Sequence, residues 1–237
     1  MNLTFVIPDL HGRYDLLEEA LFAIGNYGDI NDTGTRKVVF LGDYIDRGPD
    51  SKKIVMRLMQ GITEPWTLIT LKGNHEDMMV ETLTTPLNLQ WWVGNGGDAT
   101  LDSFGGTIPR SVVHWATELP LYHMDDHRVF VHAGVHPDIA IEDHTPEDLL
   151  WMRLPYEKEG FYTFVDDDYK ETHHVVHGHT PHTKGPIVTN GRTNLDTLAW
   201  ATGRLVVAVF DDDVAGGAID YITVQGRPYS LMTHDYQ

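Results

Sequence analysis

A hydrophobic run, a short polar loop and an amphipathic stretch follow one another three times within the first 80 or so of 237 residues. Leu3 to Ile7, Lys37 to Leu41 and Thr67 to Leu71 are the apolar, largely β-branched runs. Leu16, Leu17, Ala20, Leu21 and Ile24 then recur at helical spacing after the first run, and Ile54, Val55, Leu58 and Met59 after the second, with a third helix expected after Asn74. Such βα units require a parallel sheet, and right-handed crossovers carry every strand-end loop to the same edge. An α/β architecture is therefore expected, with Asp9 and His11, Asp43 and Asp46, and Asn74 and His75 brought together.

Those loops are unusually rich in acid, amide and imidazole groups: DLHG at 9–12, GDYIDRGPDS at 42–51 and KGNHED at 72–77. Strand ends are where α/β proteins gather their chemistry. Residues 86–118, with Trp91, Trp92 and Leu101 among glycines, read as a helical insertion into one domain spanning 1–237, placed to wall one side of the cleft. The second half offers short strands at 129–131, 175–176, 187–189, 205–210 and 218–224, which suggest a second, mixed or antiparallel sheet packed on the first. Two of these strands run into VHAG, carrying His132, and into HGHTP, carrying His177 and His179.

Composition narrows the chemistry. With no cysteine, disulfides, zinc-thiolate sites and thiol nucleophiles are all excluded. A formal charge of −18 opposes nucleic-acid backbone and anionic lipid, so a phosphate ligand needs local cations to attract it. No 18-residue apolar window and no secretory leader is visible, so a cytoplasmic monomer with neither membrane nor nucleic-acid partners is expected.

Oxygen and nitrogen ligands without sulfur suit manganese, iron or zinc, and a shared carboxylate can hold two ions. Asp43 is the candidate bridge, with Asp9 and His11 on one side and Asn74, His132 and a histidine of HGH on the other. His177 and His179 lie two apart, and periodicity alone does not choose between them. Plainer uses exist for several of these residues: Asp9 or Asn74 as helix caps, and Asp43 and Asp46 as turn residues. His114, His123, His127, His144, His173 and His174 read as surface or supporting histidines rather than ligands.

In order, DLHG, GDYIDRGPDS, GNHE, HAG and GHTP resemble the motifs of the phosphoprotein phosphatase family of metallophosphoesterases, nearest to the compact bacterial and bacteriophage serine/threonine protein phosphatases. The resemblance spans about residues 5–197. It implies an α/β sandwich of two mixed β-sheets flanked by α-helices. It also implies His179 as the ligand of the HGH segment, and two divalent ions, Mn2+ or an Fe/Zn pair, held by Asp9, His11, Asp43, Asn74, His132 and His179. Two departures stand out: Pro8 precedes Asp9 where the family has glycine, and Leu198 replaces the glycine of the family's IDTG-type motif within NLDTLAW.

The corresponding mechanism is in-line attack on a phosphate monoester by a metal-bridging hydroxide. Arg47 clamps phosphate oxygens through its forked guanidinium, and Arg153, matched to the family's W-x-R arginine, is a second clamp. His75, oriented by Asp46, protonates the leaving alkoxide of phosphoserine or phosphothreonine in a protein or peptide substrate. The alternatives are dinucleoside polyphosphate cleavage, for example of diadenosine tetraphosphate, or a broad phosphomonoesterase or phosphodiesterase that also accepts phosphotyrosine. His11 and Glu76 are read as favouring the protein phosphatase branch. A degenerate, phosphoprotein-binding scaffold is disfavoured because every ligand and both arginines are present.

Overall fold

The computed structural model describes residues 2–31, 34, 36–61, 66–85, 89–136, 139–153, 173–189 and 191–228. Residues 86–88 of the expected insertion lie outside them. The first half runs β1 (Leu3–Ile7), α1 (Tyr14–Ile30), β2 (Arg36–Phe40), α2 (Ser51–Gln60), β3 (Trp66–Thr70) and α3 (Asn74–Thr84). As the three-fold pattern requires, β1 pairs with β2, and β2 with β3, in parallel. Short helices α4 (Leu89–Trp92), α5 (Asp98–Phe104) and α6 (Arg110–Glu118) follow, with a π-helical turn over Val93–Gly97 between the first two.

The chain continues through β4 (Tyr122–Met124), β5 (Arg128–Val131), α7 (Pro146–Trp151), β6 (His174–His177), β7 (Ile187–Thr189), β8 (Arg192–Asn194), α8 (Ala199–Thr202), β9 (Arg204–Asp211) and β10 (Asp220–Gln225). Two five-stranded mixed sheets result, in the orders β10-β9-β1-β2-β3 and β4-β5-β6-β8-β7. The last two strands differ from expectation: β9 and β10 complete the first sheet, antiparallel to β1 and to each other, instead of joining the second. The cause is the apolar character of both faces of β9. Its Leu205, Val207 and Val209 pack with the helices while Ala208 and Phe210 pack against the other sheet, so the strand demands a position buried on both sides.

The same alternation sorts the whole molecule into layers. Leu3, Phe5 and Ile7 of β1 and Val38 and Phe40 of β2 face α1 and α2, through Leu16, Leu17, Ile24, Ile54 and Val55. Val6 and Val39 point the other way, onto Phe130 and Val176 of the second sheet. Val129, Val131 and Val175 on its far side pack with Leu149 of α7. Two sheets thus lie face to face with helices outside, and the ends of β1, β2, β3, β5 and β6 open on a common cleft.

At Leu198 the chain takes φ 56°, ψ 44°, a left-handed conformation that favours glycine. The turn survives with leucine because Leu198 N–H donates to Asp196 Oδ1 at 2.8 Å and Leu198 O accepts from Ala201 and Thr202.

Candidate metal centre

The strand-end loops after β1, β2 and β6 turn sharply at the residues that enter the cleft. His11, Asp43, Asp46, Arg47 and His179 all have positive φ, between 43° and 72°, an arrangement that costs energy and is characteristic of functional loops. The loops brace each other: Leu10 and His11 N–H groups donate to Asp43 O. Buried Glu76, at the start of α3, accepts from Asp43 N–H at 2.9 Å, Gly73 N–H at 3.0 Å and Tyr44 N–H at 2.8 Å. Burial and the Asp43 charge push the Glu76 carboxyl up to about 7.

Around Asp43 the ligand-type atoms form two groups. His11, Asp43 and His75 make one and Asp43, His132 and His179 the other, with the donor atoms of each group within 4.8 Å of one another. Asp43 Oδ2 lies 3.4 Å from His11 Nε2 and Oδ1 lies 3.4 Å from His132 Nε2, so one carboxylate faces both groups. Asn74 Oδ1 is 2.9 Å from His132 Nε2 and 3.0 Å from His179 Nδ1. Asp9 is buried behind them, accepting the His179 N–H at 3.0 Å, and a Cβ on Gly178 would collide with its Oδ2. His11, Asp43, Asn74, His132 and His179 thus bring their side-chain donor atoms together, while Asp9 meets the His179 backbone and belongs to neither ligand group, and His75 stands in the group of His11 and Asp43. His177 stays on β6, buried and donating from Nδ1 to Gly178 O.

The donor chemistry fits divalent ions. His132 donates Nδ1–H to Leu41 O at 2.9 Å, and burial holds the ring below its ordinary value, so its Nε2 presents a lone pair to another acceptor, Asn74 Oδ1. His11 likewise donates from Nδ1 to Ile45 O and is kept neutral by burial, which leaves Nε2 as a ligand atom. Buried His179 Nε2 has no hydrogen-bond partner among the described residues. Burial, with the charges of Asp196 and Asp43, raises Asp9 well above the usual carboxylate range. Converging lone pairs and crowded buried carboxylates of this kind are relieved by cations.

Arg47 reaches into the same space, donating from Nη1 to His11 Nε2 at 2.7 Å and from Nη2 to His75 Nε2 at 3.0 Å, with its guanidinium 5.8 Å from the Trp200 ring centroid. Arg153 follows α7 on the surface; burial chiefly lowers His132 and His179, and the Arg153 charge adds to it in both. Asp46 accepts from His75 Nδ1 at 2.6 Å, from Trp92 Nε1 and from Thr100 Oγ1.

Sequence reasoning missed Trp92, Thr100, Glu76 as a loop brace, and Asp196, a buried acid pushed up to about 6 chiefly by burial. Glu76, inside KGNHED, and Asp196, inside NLDT, lay in segments already marked by motif. His144, His173 and His174 are buried rather than on the surface, and none belongs to a ligand group among the described residues.

A protein-family model described as calcineurin-like phosphoesterase matches residues 4–211. The asymmetrical bis(5′-nucleosyl)-tetraphosphatase PrpE of Oceanobacillus iheyensis is 28% identical over 208 residues, covering 81% of this chain and 82% of that protein. Serine/threonine-protein phosphatase 2 of Escherichia coli is 35% identical over 98 residues, covering 41% of this chain and 40% of its own. A solved structure described as a candidate diadenosine tetraphosphatase superposes with a TM-score of 0.64 at 23% identity, covering 95% of this chain and 94% of its own, a likeness of fold.

Proposed function

The chain belongs to the calcineurin-like phosphoesterase family, and from that premise we propose that it is a two-metal hydrolase that cleaves the phosphoanhydride chain of a dinucleoside polyphosphate. The position of Asp43, facing both histidine groups, carries the two-metal chemistry. The substrate class is supported by the relatives named as dinucleoside tetraphosphatases, which align over most of this chain. The protein phosphatase reading rests on a shorter match, and His11 and Glu76 do not decide between the two: Glu76 braces loops and touches no cleft surface.

Asp9, His11, Asp43, Asn74, His132 and His179 would hold the ions, Mn2+ being the first choice for this oxygen and nitrogen set. Two such ions supply charge neutralisation at the phosphoryl group and an activated water. The chain's own residues do the remainder. Arg47 can turn its two donors from the imidazoles to nonbridging phosphate oxygens, a bidentate grip that a guanidinium makes well. Arg153, at the edge of the cleft, adds a second positive charge. The His75 and Asp46 pair is positioned to give a proton to a departing oxygen, a step that matters less for a nucleotide leaving group than for an alkoxide.

The test compares kcat/KM of the manganese-loaded protein on diadenosine tetraphosphate, a phosphoserine peptide and a phosphotyrosine peptide. A preference for the dinucleotide, with AMP and ATP as products, is expected. A preference for phosphoserine would restore the second reading, which the match to serine/threonine-protein phosphatase 2 favours.

A further inference from the structure

Beside the metal centre lies a cavity of about 400 Å3 lined by Asp77, Trp91, Glu147 and Trp151, within the size range of small-molecule sites. Its two indoles stack on each other, with centroids 5.6 Å apart and planes at 24°. That spacing leaves no room for a ring between them, but Trp91 is 43% exposed and so keeps a free aromatic surface. The cavity adjoins the centre on two sides. The Trp151 ring centroid is 6.2 Å from that of His179, and Asp77 sits on α3 three residues beyond Asn74, about one helical turn. Trp151 also precedes Arg153 by two residues, so one segment carries both an aromatic plane and a phosphate clamp.

We propose that this cavity is the nucleobase subsite: it takes the base of the nucleoside whose 5′-phosphate is held at the metal centre, stacking it on the exposed indole of Trp91. The proposal deepens, and rests on, the nucleotide reading above. An exposed tryptophan beside a phosphate site is a stacking platform that any base can use. The carboxylates of Asp77 and Glu147 turn phosphate away from the cavity while accepting from an exocyclic amino group, as adenine carries. Phosphate is thereby directed to the cations and the base to the indole. A cationic side chain of a peptide is the rival occupant. It is disfavoured because Lys72 Nζ already faces Asp77 Oδ1 at 3.9 Å and competes with an incoming cation for that carboxylate.

The experiment compares AMP with ribose 5-phosphate, which lacks only the base, as inhibitors of p-nitrophenyl phosphate hydrolysis. It is run on the manganese-loaded wild type, Trp91→Ala and Trp91→Phe. AMP is expected to inhibit the wild type about tenfold more tightly than ribose 5-phosphate, equivalent to ~1.4 kcal/mol. Trp91→Ala should bring the two constants together, and Trp91→Phe should keep part of the difference. Tryptophan fluorescence of the wild type, quenched by AMP but not by ribose 5-phosphate, is the readout independent of turnover. Equal inhibition and equal quenching by the two in the wild type, or a ratio untouched by Trp91→Ala, would overturn the subsite. So would a Trp91→Ala loss confined to phosphopeptides with basic flanks. Diadenosine tetraphosphate hydrolysis by the wild type judges the nucleotide reading separately: turnover with equal inhibitors would sink the subsite alone.

Discussion

His75 Nδ1 lies 2.6 Å from Asp46 Oδ2, and the same carboxylate accepts from Trp92 Nε1 at 2.9 Å and from Thr100 Oγ1, on Oδ1, at 2.6 Å. With its oxygens fixed by an indole and a hydroxyl from the segment after α3, Asp46 has one orientation to offer the imidazole. Burial opposes charge on His75, but Asp43 and Asp46 outweigh it and hold the ring above its ordinary value of 6.5. The shift extends the acid form to higher pH; in that form Nε2 carries a proton and Arg47 Nη2 gives up its contact with it, and the form is lost as pH rises through the raised value.

His75→Asn should slow hydrolysis of a phosphoserine peptide by about 10^2-fold or more, the usual contribution of a general acid, and slow diadenosine tetraphosphate hydrolysis much less. The alkaline limb of the phosphoserine kcat profile should vanish with it. Equal losses on both substrates, with the limb intact, would remove His75 from the acid role.

Asp43 faces His11 on one side and His132 on the other, so its loss should separate the two ion sites. Asp43→Ala is expected to retain at most one tightly bound manganese per chain after dialysis, counted by elemental analysis, with activity near background. Two ions retained at wild-type affinity would contradict the bridging role.

What the sequence disclosed, and what it hid, follows from the range of each interaction. The βα repeats were legible because strand and helix periodicities are local, and because a parallel sheet leaves one edge on which Asp9, Asp43 and Asn74 can meet. The sheet to which β9 and β10 belong was not legible, since a hairpin carries no local mark of its neighbour. Trp92 and Thr100 reach Asp46 from 46 and 54 residues away, a distance over which no spacing rule operates. The left-handed turns at His11 and His179 were equally hidden, because histidine, unlike glycine or the Asp43 already read as a turn residue, does not announce such a turn.

Gly178 is required by a close approach: a Cβ there would collide with Asp9 Oδ2. Gly178→Ala should displace the Asp9 carboxylate from the His179 N–H and weaken manganese binding by about 10-fold to 100-fold, as is typical when the support of a ligand is lost. Calorimetric titration of the metal-stripped protein reads the change, and unaltered affinity would show that Asp9 is dispensable to the centre.

Glu76 accepts from Asp43, Gly73 and Tyr44 N–H groups with both of its oxygens. Glutamine there sets an NH2 against backbone donors, leaving at least one buried N–H unpaired at a cost of about 1–3 kcal/mol. Glu76→Gln should lower Tm by roughly 4–8 °C at a cost of about 2 kcal/mol in a chain of this size. A Tm within 1 °C or so of wild type would mean the loop does not depend on this carboxylate.

Acid should destabilise the fold through histidines that bind no metal. His174, accepting or donating at Thr193 Oγ1 over 2.8 Å, is lowered to about 4 by burial and by Arg128; His177 is lowered to about 3 by burial and by Arg192. Both fall below the ordinary 6.5, so the unfolded chain takes up their protons first. Their contribution is complete above about pH 6.5 and drains away as pH falls, until about 4 for His174 and about 3 for His177, at up to ~1.4 kcal/mol per pH unit for each. Urea unfolding of the wild type and of His174→Gln, followed between pH 7 and 4, isolates the first of these. The stability difference between the two proteins should move in favour of the variant by about 3 kcal/mol across that range. A difference independent of pH would show that His174 is as easily protonated in the fold as outside it.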